Sequence, residues 1–292
     1  MNKVLVTGAS GFIGRALVAR LKSQFFDVVA IGSADGDIAN PKTLERLIQG
    51  DISHVFHLAG KTYVPDSWNN PVEFYQTNLL GTTNVLEFCK KRCIPITYIS
   101  AYVYGHPETL PIKESSSIRP SNPYALSKRL AEEACEFYAV VHNLPITTIR
   151  PFNVYGIGQG ENFLIPAIIR QALDAEAIVV KDLQPKRDYV YLEDLLTALL
   201  ATLTAPRGYN VYNVGSGYSL SVKEVIGIIQ EVAGTCKEII CDKVARANEL
   251  MDVVADISKV ANELGWQPEY SFRAGIEDII HAEVKERQHE QA

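Results

Sequence analysis

The chain has no block of basic residues and a formal net charge of −6, which argues against nucleic acid or an acidic membrane as its main partner. A nucleotide ligand stays open, because a few local donors suffice to hold one. No apolar run approaches the ~20 residues that a membrane-spanning helix needs. Lys3-Val4-Leu5-Val6 runs directly into a turn motif and not into the apolar stretch of a signal sequence, so the cytoplasm is the expected compartment. Cysteine is scarce, and the five present show no metal or redox spacing. Cys89 and Cys93, four apart on an expected helix, read as packing residues, and the odd total fits reduced thiols. Internal repeats and low-complexity tracts are absent. What remains is an ordinary soluble composition over 292 residues, enough for one large domain or one with a smaller appendage.

The pattern that fills this length is regular. Lys3 to Val6 reads as a buried strand, followed by T-G-A-S-G-F-I-G and an apolar-periodic helix through Leu21. Gly8, Gly11 and Gly14 therefore fall at a strand-to-helix turn. There glycine allows a tight turn, a close approach to a pyrophosphate, and contact between helix and strand. Further strands are expected at Asp27–Ile31, His54–Leu58, Ile94–Ile99 and Pro145–Arg150. Helices are expected at Pro41–Gln49, Pro71–Lys91 and Asn122–His142. Such alternation is the pattern of a doubly wound parallel sheet, whose ligands bind outside the carboxyl ends of the strands. Gly8, Gly60, Ser100 and Arg150-Pro151-Phe152-Asn153 all stand at such ends. At the end of the second strand, where NAD-binding folds commonly carry an acidic residue for the ribose, the chain has Gly32. No arginine follows to hold a 2′-phosphate, and Arg15 is the nearest cation, so the choice between NAD and NADP stays open. After Asn153 the rhythm changes to mixed short strands and helices, and the last polar residues read as a frayed tail.

The densest stretch runs from Tyr98 to Lys128. Ser100 ends a strand in Y-I-S-A-Y-V-Y-G, and Tyr124 precedes Lys128 by one helical turn in N-P-Y-A-L-S-K. Residues four apart share a helix face, and a lysine cation beside a phenol lowers its pKa from about 10. A tyrosine so placed can serve as a general acid or base.

In order along nearly the whole chain, T-G-A-S-G-F-I-G, H-L-A-G, N-L-L-G-T-T-N-V-L-E, S-A-Y-V-Y-G, P-Y-A-L-S-K, R-P-F-N-V-Y-G, R-D-Y-V-Y-L-E-D and D-I-S-K-V-A-N-E-L-G-W resemble the NAD-dependent epimerase/dehydratase family of the extended short-chain dehydrogenase/reductase superfamily. The resemblance implies an α/β fold. Residues 1–153 would form a Rossmann doubly wound domain and 154–292 mainly a smaller mixed α/β substrate domain, with some segments crossing back. It implies that Tyr124 is the acid/base, that Lys128 lowers its pKa and bonds the nicotinamide ribose, and that Ser100 orients the substrate hydroxyl. Asp37 and Ile38 would flank the adenine of NAD or NADP. Ala59 and Gly60 would back the cofactor, Phe12, Ile13, Leu58 and Pro151 would complete its seat, and Asn78 would help hold Lys128 or the cofactor. For a nucleotide-diphosphate sugar, Tyr102, Asn153, Arg187 and Arg246 are the expected contacts besides Ser100; a salt bridge to Asp188 is the alternative for Arg187. A homodimer is expected, through the Tyr-Lys helix; its apolar positions Ala131, Ala134, Phe137 and Tyr138 are compatible with that and equally suit a packed helix in a monomer.

Ala101 and Tyr102 stand where the 4,6-dehydratases of the family carry an acidic pair, so elimination of water is not expected. Two enzymatic readings remain. A 4-epimerase takes hydride from C4 onto tightly bound NAD+ and returns it to the other face of the rotated keto sugar. A 4-ketoreductase delivers hydride once from NAD(P)H. S-A-x-V-Y-G suits the epimerases, and L-Q-P-K-R-D-Y resembles GDP-4-keto-6-deoxymannose reductases. A non-catalytic nucleotide-sugar or dinucleotide-binding protein is the third reading, against which the intact Ser100, Tyr124 and Lys128 speak.

Overall fold

A computed structural model describes residues 3–242 and 250–290, so the expected substrate contact Arg246 lies outside the described residues. Five strands, β1 (Lys3–Thr7), β2 (Asp27–Ile31), β3 (His54–His57), β4 (Ile96–Ile99) and β5 (Ile146–Pro151), join an edge strand Tyr209–Val214 in one sheet. Its order is edge strand, β5, β4, β3, β1, β2, and every pairing is parallel. Strands covered on both faces need apolar residues on both faces, and β3, β4 and β5 are buried at every position.

The period of two divides the strand side chains between two cores. Leu5, Val55, Ile96 and Ile146 pack with Val85, Leu86 and Cys89 of the helix Gly81–Arg92 and with Ala131, Cys135 and Ala139 of the helix Pro123–His142. Val4, Val6, Phe56 and Ile149 pack on the other side with Leu17 and Leu21 of the helix Phe12–Ser23 and with Leu195, Leu196 and Leu199 of the helix Leu192–Ala201. After β1 the chain turns to one side for β2, then crosses to the other for β3. The sheet order reverses there, which opens a crevice at the carboxyl ends of β1 and β3. A third apolar cluster joins the helices Leu164–Asp174, Val222–Ala233 and Phe272–Glu290.

Three expectations change in detail. The helix expected at 41–49 forms only over Thr43–Leu47. The long helix expected from Pro71 is interrupted by a π-turn at Tyr75–Leu80, where Gly81 N–H donates to Gln76 O, five residues back. The polar C-terminal residues continue the last helix to Glu290, with Arg287 forking onto Asp174 at 2.6 and 2.8 Å.

One ion pair ties the sheet to the Tyr-Lys helix. Arg150 Nε and Nη2 donate to Glu132 Oε1 and Oε2 at 2.9 and 2.7 Å, with both side chains buried. Arg150 Nη1 also donates to Tyr104 Oη and to Glu114 O.

Candidate active site

A cleft of about 870 Å³ opens over the carboxyl ends of β1, β2, β3, β4 and β5. The glycine turn forms one wall. Gly8 has φ +71°, and a Cβ there would meet Leu58 C and Ala59 N at 2.6 Å, so only glycine serves. A Cβ on Gly14 would stand 2.1 Å from Gly8 O, which is the close contact of helix and turn. Gly11 differs, because a Cβ there would meet only Gly8 O, at 3.3 Å. Its free side faces the cleft, so the space it leaves is available to a ligand. Gly11 caps the helix Phe12–Ser23 without a side-chain hydrogen bond, and no acid occupies the first turn. The N–H groups of that turn, carried by Phe12, Ile13 and Gly14 on the cleft wall, suit a phosphate anion.

The end of β2 corrects the reading of Gly32. The chain folds back so that Gly32 N–H donates to Asp35 Oδ2 at 2.8 Å, which returns a carboxylate to the strand end. Arg46 arrives from the short helix and donates to Asp35 O at 3.1 Å. Arg15 instead donates to Ser10 O at 3.2 Å. Asp37 and Ile38 line the cleft with Gly32 and Ser33, whereas Asp35, Arg46 and Arg15 are not among its lining residues, and Ile38 packs against Gly81.

Leu58, Ala59 and Gly60 form the floor beside Pro151. Asn78 is fully buried behind them and does not reach Lys128 as a hydrogen-bond partner. Its Oδ1 accepts from Lys61 N–H at 2.8 Å, and its Nδ2 donates to Lys61 O and to Ser127 Oγ at 3.0 and 2.9 Å. A Cβ on Gly60 would lie 3.0 Å from Asn78 Oδ1 and 3.4 Å from Lys128 Nζ, so glycine lets these three positions close up.

Ser100, Tyr124 and Lys128 all line the cleft. Lys128 Nζ donates to Ile99 O at 2.7 Å, and burial takes its pKa down to about 8. Burial also pushes the Tyr124 phenol above its ordinary value, the reverse of the lowering expected from a lysine neighbour. Desolvation is the cause, and one proton of the Lys128 ammonium is given to Ile99 O. Ser100 N–H donates to Ile149 O, while Ser100 Oγ is buried without a hydrogen-bond partner. A buried hydroxyl without a partner calls for one, and a ligand hydroxyl or carbonyl in the cleft supplies it.

The substrate-side residues divide. Asn153 lines the cleft and donates to Asp188 O at 3.1 Å. The ring of Tyr102 lines it too, but its hydroxyl donates to Gly105 O at 2.5 Å. Arg187 is anchored by Lys186 O and Leu250 O, and its charge bears on Tyr102 and Tyr189, both on the cleft wall. Asp188 uses its carboxylate on Ser216 N–H and Oγ, Gly217 N–H and Ala255 N–H. Among the cleft residues not singled out from the sequence, two carry buried polar atoms without partners. Gln159 Oε1 and Tyr189 Oη are buried without partners, like Ser100 Oγ. No periodicity or spacing marks either one.

A glycine turn at the point where sheet order reverses, with serine, tyrosine and lysine on the same cleft, defines a dinucleotide-binding α/β protein of the short-chain dehydrogenase/reductase type. The chain belongs to the NAD dependent epimerase/dehydratase family, whose sequence profile matches residues 4–215. It is 33% identical to a GDP-6-deoxy-D-mannose reductase of Pseudomonas aeruginosa, over 96% of each chain. It is likewise 33% identical to a putative UDP-glucose 4-epimerase of Methanocaldococcus jannaschii, over 95% of this chain and 97% of the relative. Among solved structures, RMD from Pseudomonas aeruginosa complexed with NADPH superposes with a TM-score of 0.90 at 32% identity, over 98% of this chain and all of that one.

Proposed function

We propose that the protein is a nucleotide-diphosphate-sugar 4-epimerase that retains NAD in the cleft and uses Tyr124 as the proton carrier at C4. The observation that carries this reading is the buried, unpartnered Ser100 hydroxyl on the same cleft as Tyr124 and Lys128. The room left at Gly11 and the free N–H groups of the following helical turn fit a pyrophosphate. Gly8, Gly14, Asp37, Ile38, Leu58, Ala59, Gly60 and Pro151 shape the rest of that seat, with Asn78 supporting it from behind. Bound there, the nicotinamide supplies reversible hydride transfer. Tyr124 would take the C4 hydroxyl proton and later return it to the C4 oxygen. Ser100 holds the C4 oxygen throughout, and Lys128 favours the charged form of Tyr124. Asn153, the Tyr102 ring and Arg187 hold the nucleotide diphosphate, for which a guanidinium fork suits paired phosphate oxygens.

Asp35 favours NAD over NADP, because its carboxylate at Gly32 would repel a 2′-phosphate and can accept from ribose hydroxyls. Elimination of water is not part of the reading. Ala101 has no acid, and burial pushes the Tyr102 phenol above its ordinary value. A second copy of the chain is expected on the helix Pro123–His142, with one correction to the residues involved. Ala131 faces the sheet core and Tyr138 Oη donates to Glu87, so Leu126, Phe137, Val140 and Val141 are the exposed apolar positions.

A 4-ketoreductase is the second reading, favoured by the identity to the reductase relative and by Arg46 beside the β2 loop. Gel filtration of the purified protein separates the two. Nicotinamide absorbance that stays with the protein is expected for the epimerase. A protein that emerges empty and takes up NADPH would favour the reductase, and failure to bind either dinucleotide would sink both.

A further inference from the structure

The motifs H-L-A-G and N-L-L-G-T-T-N each contain polar residues that the catalytic reading does not use, His57 and Thr82. Both are fully buried, as are Thr7, Asn78 and Ser127. Together they form one continuous run of hydrogen bonds. Thr7, the residue before the glycine turn, places Oγ1 2.7 Å from His57 Nδ1. His57 Nε2 lies 2.9 Å from Thr82 Oγ1, and Thr82 Oγ1 donates to Asn78 O at 2.5 Å. Asn78 Nδ2 donates to Ser127 Oγ at 2.9 Å, and Ser127 Oγ donates to Tyr124 O at 2.7 Å.

The direction of every bond follows from the number of protons available. Asn78 O can only accept, so the single Thr82 hydroxyl proton is committed to it. Thr82 must then accept from His57, which places the imidazole proton on Nε2. Nδ1 is left as an acceptor, and Thr7 fills it with its own proton while accepting from Ala59 N–H at 3.3 Å. Every donor in the run has an acceptor, and only one tautomer satisfies it. A second proton on His57 would leave the Thr7 proton unpaired and place a cation in the core near Lys128.

Resting on the catalytic reading above, we infer that Thr7–His57–Thr82–Asn78–Ser127 is a buried strut that couples the glycine turn to the backbone of Tyr124, with His57 as a positioning residue locked in the Nε2–H form. The π-turn is the part of the strut that reaches the site. It turns Asn78 inward, so one amide holds both the Gly60–Lys61 loop and the helix carrying Tyr124. Gly81 permits this path, since a Cβ there would meet Ile38 Cγ2 at 2.6 Å. Burial and the Lys128 charge keep His57 neutral, with a pKa of about 3. The neighbouring Tyr98 ring, stacked at 5.7 Å, offers it no counter-charge.

Two measurements test the strut. Nitrogen NMR of histidine-labelled protein, read on the resting protein and independent of any activity, is expected to show a neutral, Nε2–H imidazole for His57 that does not titrate between pH 5 and 8. An Nδ1–H form, or titration in that range, overturns the inference even if the enzyme is an epimerase. Thr82→Val removes both hydrogen bonds at nearly constant volume and touches no ligand. It is expected to lower kcat about tenfold with KM for the nucleotide sugar within about twofold, and Thr82→Ser is expected to restore kcat to within about twofold. Unchanged kcat in Thr82→Val, or loss without rescue by serine, shows that Thr82 only packs and overturns the inference. Should Thr82→Val not fold, the NMR measurement on the unmodified protein decides alone.

Discussion

Tyr124→Phe is expected to lower kcat by about 10²–10⁴-fold, the usual contribution of a general acid/base, while dinucleotide affinity stays within a few-fold. The substitution removes one oxygen and keeps the ring, so the edge contact with Phe74 at 6.3 Å survives. The helix itself does not depend on the hydroxyl, because Asn122 caps it by accepting from Ala125 N–H at 2.8 Å. Loss of turnover would therefore report on the proton and not on the fold. Lys128 gives the same site a pH signature. Its pKa of about 8 lies below the ordinary 10.5, so the folded chain binds fewer protons than the unfolded chain between those values. Its burial cost is fully present below about pH 8 and is relieved as pH rises toward 10.5, so this group makes stability increase through that window. Turnover of Tyr124→Phe within a few-fold of the unmodified protein would contradict the assignment.

Glu132→Ala is expected to destabilise the fold by about 3–5 kcal/mol, because it leaves the Arg150 guanidinium buried without its partner. The pair is bidentate, and both side chains are nearly free of solvent, at 3% and 0% exposure. Joint replacement by Glu132→Leu and Arg150→Met removes both charges at similar volume and is expected to recover most of the loss. Urea unfolding reads the difference as a shift in midpoint at constant slope. A loss below about 1 kcal/mol for Glu132→Ala would show that the pair is wetter than its geometry indicates.

The parts of this protein that can be read from its sequence are those that local chemistry dictates. The alternation of short buried strands and helices located the sheet strands, and the glycine triplet the first turn, because only glycine fits Gly8 and Gly14 there. Ser100, Tyr124 and Lys128 were legible as strand-end and one-turn spacings, and all three reach the cleft. What was hidden depends on chain folding back through space. Asp35 reaches Gly32 through a turn with no periodic signal, and Arg46 returns to that loop from a separate helix. The π-turn at Asn78 adds one residue to a turn within an otherwise regular helical pattern. Ala131 suited a partner or a packed helix equally on spacing, and the helix turns it into the core. Gln159 and Tyr189 became visible only as buried polar atoms without partners.

Incubation with a panel of UDP-, GDP- and dTDP-sugars, without added nicotinamide, tests the central claim most directly. The proton NMR spectrum of the sugar reads the configuration at C4. The epimerase reading predicts that one sugar of the panel converts to an equilibrium mixture of its two C4 epimers with no dinucleotide consumed. A protein that leaves every C4 centre of that panel unchanged, and in a parallel incubation with added NADPH reduces a 4-keto sugar at C4 as NADPH is oxidised, would contradict it.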